Sequence, residues 1–150
     1  MRLVTRGAAS GFAGTLLMTA AMLMGKVARV ELGKLQPKEI TENLEEKIGV
    51  RDLLPESAFE ASWVTMHFGY GATSSVAYAL AQKTFNLDQR PPNLVGPAFG
   101  TLLWAFGYCG WLPLAGLYPP PTQVPKRKVG ANILAHVVYG TATTHCMLRT

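Results

Sequence analysis

The chain has 150 residues, of which 49% are apolar and 15% are charged. Soluble domains carry about 25% charged residues, so this composition argues against an ordinary soluble domain and favours a membrane protein. The net charge of +5 comes from basic residues at the edges of apolar blocks or mixed with acids. This placement is typical of residues that flank a bilayer, and we expect no nucleic-acid partner. Two isolated cysteines predict neither a structural disulfide nor a metal site.

The first apolar block predicts a membrane span at about residues 7–27. Its uncharged part, 7–25, can cross a hydrocarbon core of about 30 Å as a helix. Arg2 and Arg6 before it resemble the start of a signal peptide, but the apolar run is longer than a usual signal core. We therefore interpret it as a retained span. Small residues recur at four-residue spacing and include Gly11 and Gly14, a pattern that lets helices approach closely in lipid.

The polar stretch that follows predicts a short amphipathic helix at about residues 37–49. Pro37 suits a first helical turn and Gly49 a helix end. Ile40, Leu44 and Ile48 would share one face. We expect this helix to pack on the ends of the spanning helices; a position on the membrane surface or against a partner is the alternative. The opposite face is acidic and contains Glu39, Glu42, Glu45 and Glu46.

Three further apolar blocks predict spans at about residues 60–84, 94–112 and 129–148. Before the last block stands a basic cluster, which we expect to hold the loop on the cytoplasmic side and to contact lipid headgroups. More Lys and Arg residues lie on the side of the two long loops than on the other side, so we expect both long loops in the cytoplasm. The cluster consists of Lys126, Arg127 and Lys128.

The motif H-x-x-Y-G occurs twice, at residues 67–71 and 136–140. The first and third blocks also share a pattern in which Gly14 aligns with Gly100. These matches predict two tandem two-helix repeats, related by an axis along the membrane normal. Shared packing demands on helices rich in small residues are the alternative explanation. The glycines expected at helix contacts are Gly11, Gly14, Gly71, Gly96, Gly100 and Gly140.

His67 and His136 are the main candidate functional residues, each paired on one helix face with Tyr70 or Tyr139. An ionisable group within a span must find polar partners. The histidines and tyrosines could join helices by hydrogen bonds, with Asn then tolerated better than Leu at each histidine. They could instead hold haem iron or a metal, or handle protons near neutral pH. We expect the structural role and no cofactor.

The acidic residues all lie in loops or at the ends of apolar blocks, and no nucleophile motif, H-E-x-x-H or phosphate loop is present. Carriers that use protons usually have a buried carboxylate. The sequence therefore indicates a protein that is neither an enzyme nor a secondary transporter.

The ordered motifs of the last ninety or so residues resemble the YagU-like group of uncharacterised bacterial inner-membrane proteins. The resemblance implies a multi-span protein of the inner membrane, loosely associated with acid tolerance, and implies no catalytic residues. It is carried by His67 with Tyr70 and Gly71, by Gly96 and Gly100 with Trp104, by residues 113–117 with Pro119 and Pro120, and by His136 with Tyr139 and Gly140.

These observations together predict one all-α domain over residues 1–150, an integral membrane bundle of four transmembrane helices with an amphipathic helix in the first loop. We expect a multi-pass protein of the plasma membrane that contacts the lipid bilayer. The expected function is a non-enzymatic accessory or scaffold subunit that packs with other membrane subunits or with itself. The alternatives are a haem- or metal-binding redox module through His67 and His136, and a small channel or proton-handling protein in acid stress.

Overall fold

The computed structural model describes residues 2–27 and 33–149, the last without its side chain. These residues form helices and short turns with no strand, which confirms the all-helical prediction. Three 3₁₀ turns lie in the loops, at Arg51–Leu53, Leu87–Gln89 and Pro121–Gln123. The other helices are α1 (Arg2–Val27), α2 (Gln36–Lys47), α3 (Glu56–Thr84), α4 (Pro92–Trp104), a π-helix (Ala105–Trp111), α5 (Leu112–Leu114) and α6 (Lys126–Arg149).

Proline and glycine set several of these boundaries. Pro37 and Pro92 stand in the first turns of α2 and α4, where the missing N–H of proline has no helical partner to lose. Gly49, just after α2, has a φ of +75°, and Gly116, just after α5, has a φ of +65°. Only glycine adopts this left-handed conformation at low cost, which suits it to the end of a helix at both positions.

The helices extend beyond the predicted spans at their polar ends. The first, second and fourth spans were expected to begin at residues 7, 60 and 129, but the helices begin at Arg2, Glu56 and Lys126. The apolar pattern marks where a helix is buried or faces lipid, whereas the hydrogen-bonded helix continues into charged residues. Of the described helices, α1 alone is long and apolar enough to cross a membrane by length and composition.

The third apolar block does not form one regular α-helix. The α-helix ends at Trp104 and continues as the π-helix, in which Gly110 has non-helical angles (φ −115°, ψ −107°). A π-helix widens the turn to fit extra residues, and such segments frequently lie at functional sites. The interruption turns the side chains that follow it in a direction that a 3.6-residue period does not predict.

The four long helical segments pack unequally. α1 packs closely against α3 and α6, and α4 packs closely against α6, so α1 and α6 form the central pair. α3 and α4 are joined mainly through an aromatic stack of Tyr78 on Phe99, with ring centroids 4.0 Å apart and an interplanar angle of 6°. Since backbone contact between α3 and α4 is sparse among the described residues, this side of the bundle is the loosest.

α2 covers the end of the bundle where α1 ends and α3 begins. Ile40 and Leu44 pack against a cluster built from Tyr108, Leu112, Leu117 and Tyr118. The predicted faces of this helix were wrong at two positions. Ile48 is 61% exposed because the helix ends at Lys47, and Glu45 is 5% exposed because its carboxylate accepts a hydrogen bond from Ser62 of α3 at 2.5 Å.

Glycines mark the points where helix backbones approach most closely. A Cβ at Gly11 would lie 2.6 Å from the carbonyl oxygen of Gly71, and a Cβ at Gly96 would lie 3.0 Å from that of Gly140. Gly14 instead faces α6, where a Cβ would lie 3.0 Å from the carbonyl oxygen of Tyr139. Gly11 of α1 is therefore the structural equivalent of Gly96. The predicted alignment of Gly14 with Gly100 would have matched Gly96 with Ser10, one residue earlier.

Candidate functional site

Both copies of the H-x-x-Y-G motif contribute to one cavity of about 130 Å³. The cavity lies between α1, α2, α3, the π-helix and α6. Apolar side chains, including Met18, Ile40 and Leu112, form much of its wall. The pairs that the sequence singled out on separate helices are thus brought to a common space. The aromatic and imidazole lining consists of His67, Tyr70, Tyr108, Trp111, His136 and Tyr139.

The hydrogen bonds of His67 fix which ring nitrogen carries the proton. Its Nε2 lies 3.1 Å from Oγ1 of Thr19 on α1. The hydroxyl of Thr19 has one hydrogen, which it donates to the carbonyl oxygen of Thr15 at 2.8 Å. The hydroxyl must therefore accept from His67, so Nε2 of a neutral His67 is protonated and donates. His67 joins α3 to α1 through this bond.

His136 uses its other ring nitrogen. Nδ1 lies 2.9 Å from the carbonyl oxygen of Asn132, one turn earlier in α6. A carbonyl only accepts, so Nδ1 is protonated and donates, and Nε2 of the neutral ring keeps its lone pair. The side chain is 7% exposed and lines the cavity. The ring of Tyr108 meets it edge-on, with centroids 5.7 Å apart.

The two tyrosines of the repeated motif lie in different surroundings. Tyr139 is 2% exposed, and its hydroxyl donates to the carbonyl oxygen of Gly71 at 2.5 Å, which joins α6 to α3. Tyr70 is 42% exposed, and its ring centroid lies 6.4 Å from that of Trp111. Tyr139 therefore belongs to the packed interior, and Tyr70 lies at the edge of the cavity.

The cavity opens sideways, between α3 and the π-helix. Met66 and Tyr70 of α3 both line it and are about two-fifths exposed, at 41% and 42%. Towards the other end of the bundle the stack of Tyr78 on Phe99 closes the space between α3 and α4. The mouth is thus lateral, on the loosely packed side of the bundle.

α2 forms the roof of the cavity through Pro37, Ile40 and Thr41. Ties on two sides hold it in place. Toward α3, Lys38 binds Glu60, and the hydrogen bond that its ammonium donates to Glu60 raises the pKa of Lys38 above its ordinary value. Toward the loop between α5 and α6, the amide of Asn43 donates to the carbonyl oxygen of Leu117 at 2.8 Å.

A second polar cluster joins α3 to α6 in the opposite half of the bundle. The amide of Gln82 donates to the hydroxyl of Tyr78, and this hydroxyl lies 2.9 Å from Oγ1 of Thr144. Thr144 in turn donates to the carbonyl oxygen of Gly140. Each hydroxyl therefore donates once and accepts once, as buried hydroxyls in an apolar bundle require.

The basic cluster opens α6 instead of ending the loop before it. Lys126 and Arg127 are exposed, but Lys128 is half-buried, binds Glu39 of α2 at 2.9 Å and lies 5.5 Å from the ring centroid of Tyr118. Burial alone would lower the pKa of Lys128, but hydrogen bonds with Glu39 and Tyr118 raise it above its ordinary value. Two of the three residues are thus exposed, and contact of the cluster with lipid headgroups stays a prediction.

Sequence reasoning missed four residues of the site: Thr19, Asn132, Tyr108 and Trp111. The partners of the histidines could have been found from four-residue spacing, which places two residues on the same helix face. Thr19 stands four residues after Thr15, and Asn132 stands four residues before His136. Tyr108 and Trp111 had none, since the π-helix turns them toward the cavity. Among residues 2–27 and 33–149, no group of three or more His, Cys, Asp or Glu side chains could hold a metal.

Comparison with known proteins identifies the family of the chain but no characterised relative. No curated protein and no solved structure matches the chain, and kinship with the YagU-like group stays a prediction. Residues 1–150 match a protein family whose description is a family of unknown function, DUF6789. Because the match spans all 150 residues, the chain belongs to the DUF6789 family.

Proposed function

We propose that this chain is an integral membrane protein whose four long helical segments all span the bilayer, built from two tandem two-helix units. Its function is that of a non-enzymatic subunit that packs against other membrane proteins or a second copy of itself. The localisation that follows is the plasma membrane, which under the YagU-like resemblance is the bacterial inner membrane.

The observation that carries the proposal is the distribution of polarity between the outside and the inside of the bundle. The interior buries hydroxyls and amides, among them Ser10, Ser75, Thr143 and Asn132. Large apolar side chains point outward, a distribution suited to lipid as the surrounding medium. These exposed side chains occur on every long helix and include Phe12, Leu16, Leu17, Val64, Leu80, Leu94, Leu102, Phe106 and Leu134.

The helices other than α1 have identifiable reasons for looking less like spans by composition. α3 begins with a charged turn at Glu56, and α6 begins with the basic cluster. α4 is 13 residues long because the π-helix takes over at Ala105. Charged residues at helix ends are expected at the headgroups, and a π-helix is tolerated within a bundle where neighbouring helices cover it.

Membrane association is tested by extraction. The protein, expressed in bacteria, should remain in the membrane pellet after an alkaline carbonate wash and enter solution only with detergent. A control is a peripheral membrane protein in the same sample, which the wash should release. Release of this chain by carbonate would contradict the proposal.

The accessory role is tested by mass. Exposed apolar faces that carry small residues favour contact with other helices in the membrane. We expect a particle in mild detergent that contains more protein than one 16.2 kDa chain, either several copies or a co-purified partner. A particle with a single chain at every detergent concentration would exclude the accessory role while leaving membrane insertion intact.

A redox module is the second candidate, and the convergence of His67 and His136 on one cavity is the observation that favours it. Haem is held through a ring nitrogen with a free lone pair. Nε2 of His67 is protonated and bonded to Thr19, so this nitrogen has no free lone pair for an iron. We therefore expect no Soret band in the absorption spectrum of the purified protein. A Soret band that either single substitution, His67→Leu or His136→Leu, abolishes would favour the redox module.

A further inference from the structure

We propose that the cavity binds the hydroxyl-bearing ring of a lipid-soluble phenol, which enters from the bilayer through the lateral mouth. The phenol hydroxyl donates a hydrogen bond to Nε2 of His136, and its apolar tail leaves between α3 and the π-helix. This inference rests on the membrane placement proposed above and adds a ligand to it.

The first argument comes from the hydrogen-bonding capacity of the walls. Three lining hydroxyls already donate to backbone carbonyls: Thr15 to Gly11, Thr41 to Pro37, and Tyr139 to Gly71. The N–H groups of His67 and His136 are likewise used, by Thr19 and by the carbonyl of Asn132. Each neutral ring then keeps one lone pair, on Nδ1 of His67 and on Nε2 of His136, and we assign the ligand to His136 because its side chain is the more deeply buried of the two. A matching ligand therefore donates a hydrogen bond.

The second argument is size and wall chemistry. The cavity has a volume of about 130 Å³, and an apolar protein cavity of roughly 150 Å³ is known to accommodate benzene. Aromatic rings of Tyr108, Trp111 and Tyr139 line the space beside His136, and aromatic rings pack favourably edge-to-face or offset. A single six-membered ring therefore fits, whereas a fused or bulky head would not.

The third argument is the position of the mouth. Met66 and Tyr70 at the mouth lie in the middle of α3, at the depth of the lipid acyl chains when α3 spans the bilayer. α2 covers the cavity from the end of the bundle, where water would otherwise enter. A ligand therefore comes from the lipid phase, and a para-substituted ring can keep its tail there.

A matched pair of ligands tests the hydrogen bond without altering the protein. The full chain, purified in detergent, is titrated with 4-butylphenol and with 4-butylanisole, its methyl ether, in a calorimeter. The ether has the same ring and tail but no O–H group. We expect the phenol to bind about tenfold more tightly, the factor that one hydrogen bond contributes. Equal affinities, or no binding of the phenol, would overturn the proposal.

Variants of His136 assign the hydrogen bond to its Nε2. His136→Phe keeps a ring but removes the acceptor, and should bring the affinity for the phenol down to that for the ether. His136→Gln returns an acceptor oxygen to about the place of Nε2 and should keep part of the preference. The control is His145→Phe, because Nδ1 of His145 makes the same bond to a carbonyl one turn earlier, at Thr141, outside the cavity lining. An unchanged preference in His136→Phe would overturn the assignment.

The outcomes separate this inference from the proposed function. A protein that resists carbonate extraction but does not prefer the phenol would overturn the ligand and leave the membrane placement standing. A protein that carbonate releases would overturn the membrane placement, whatever it binds. If His136→Phe does not fold, the comparison of phenol with ether on the wild-type chain still decides.

Discussion

His67 and His136 occupy the same place in the H-x-x-Y-G motif, but they donate through different ring nitrogens. His67 donates through Nε2 to a hydroxyl on a neighbouring helix, whereas His136 donates through Nδ1 to a carbonyl of its own helix. The amide nitrogen of Asn occupies roughly the place of Nδ1 and that of Gln roughly the place of Nε2. The best replacement therefore differs between the two positions.

At position 67 we expect His67→Gln to be better tolerated than His67→Asn, because only the longer amide reaches Thr19. A hydrogen bond between membrane helices contributes about 0.6 kcal/mol on average and rarely more than about 2 kcal/mol. The difference between the two variants in free energy of unfolding should be of this size, measured by reversible unfolding in mixed micelles. The order should reverse at position 136. A single order at both positions would show that the assigned ring nitrogens are wrong.

Gly100 gives a second prediction at the residue scale. A Cβ there would meet the backbone carbonyl of His136, which cannot move without shifting α6. Gly100→Ala should therefore lower the free energy of unfolding by about 1–3 kcal/mol, the usual effect of overpacking.

The matched control is Gly69→Ala, at a helical glycine where nothing lies within 4 Å of an added Cβ. Alanine favours a helix over glycine by about 0.5–1 kcal/mol, so this variant should be neutral or slightly more stable. If both variants lose stability equally, close packing at Gly100 is not the reason.

At the scale of elements, α2 covers the cavity, and the contacts that hold it to neighbouring segments are mostly polar hydrogen bonds and ion pairs. Lys38 and Asn43 of α2 reach α3 and the loop at Leu117, and Lys128 of α6 reaches Glu39 of α2. Exposed or half-exposed ion pairs contribute only about 0.2–1 kcal/mol each. Local opening of α2 should therefore be easier than unfolding of the four long helices.

Removing the tie to α3 should increase this opening. Lys38→Met loses the pair with Glu60. Hydrogen exchange of the α2 amides, followed by mass spectrometry, should become faster by up to roughly fivefold. Lys34→Met is the control, since Lys34 pairs with Glu42 of α2 itself. Equal acceleration by both variants would show that the tie to α3 is not what holds α2.

The interruption after Trp104 marks the limit of sequence-based prediction for the elements. Helix content, α2 and the approximate ends of the long helices follow from apolar blocks and from Pro37 and Gly49. The π-helix does not, because its apolar residues continue the same block. Its effect on the site is large, since it places Tyr108 and Trp111 on the cavity. The H-x-x-Y-G motif predicted the histidines, but treating the third block as one regular helix missed the aromatic wall beside them.

At the scale of the whole molecule, the two helix pairs share a contact but not their surroundings. Gly11 faces the Gly71 carbonyl within the first pair, and Gly96 faces the Gly140 carbonyl within the second. The central contact joins α1 to α6, whereas α3 and α4 diverge. Matching motifs predicted the shared contact, but short motifs contain no information on how the pairs dock. The divergence leaves room for the cavity and its lateral mouth.

The central claim, that four helices cross the membrane, predicts alternating sides for the three loops. Single cysteines at exposed positions test this in a chain whose Cys109 and Cys146 are replaced by serine. Glu45 is unsuitable because it is buried. Suitable exposed positions are Asp52 in the first loop, Asp88 in the second and Thr122 in the third.

The measurement is labelling with a membrane-impermeant thiol reagent in intact bacterial cells and, as a control for reactivity, after permeabilisation. We predict that Asp88→Cys reacts in intact cells, while Asp52→Cys and Thr122→Cys react only after permeabilisation. The reverse pattern would keep four spans and invert the orientation. Labelling of all three positions alike, or of Asp52→Cys and Thr122→Cys on opposite sides, would contradict the four-span account.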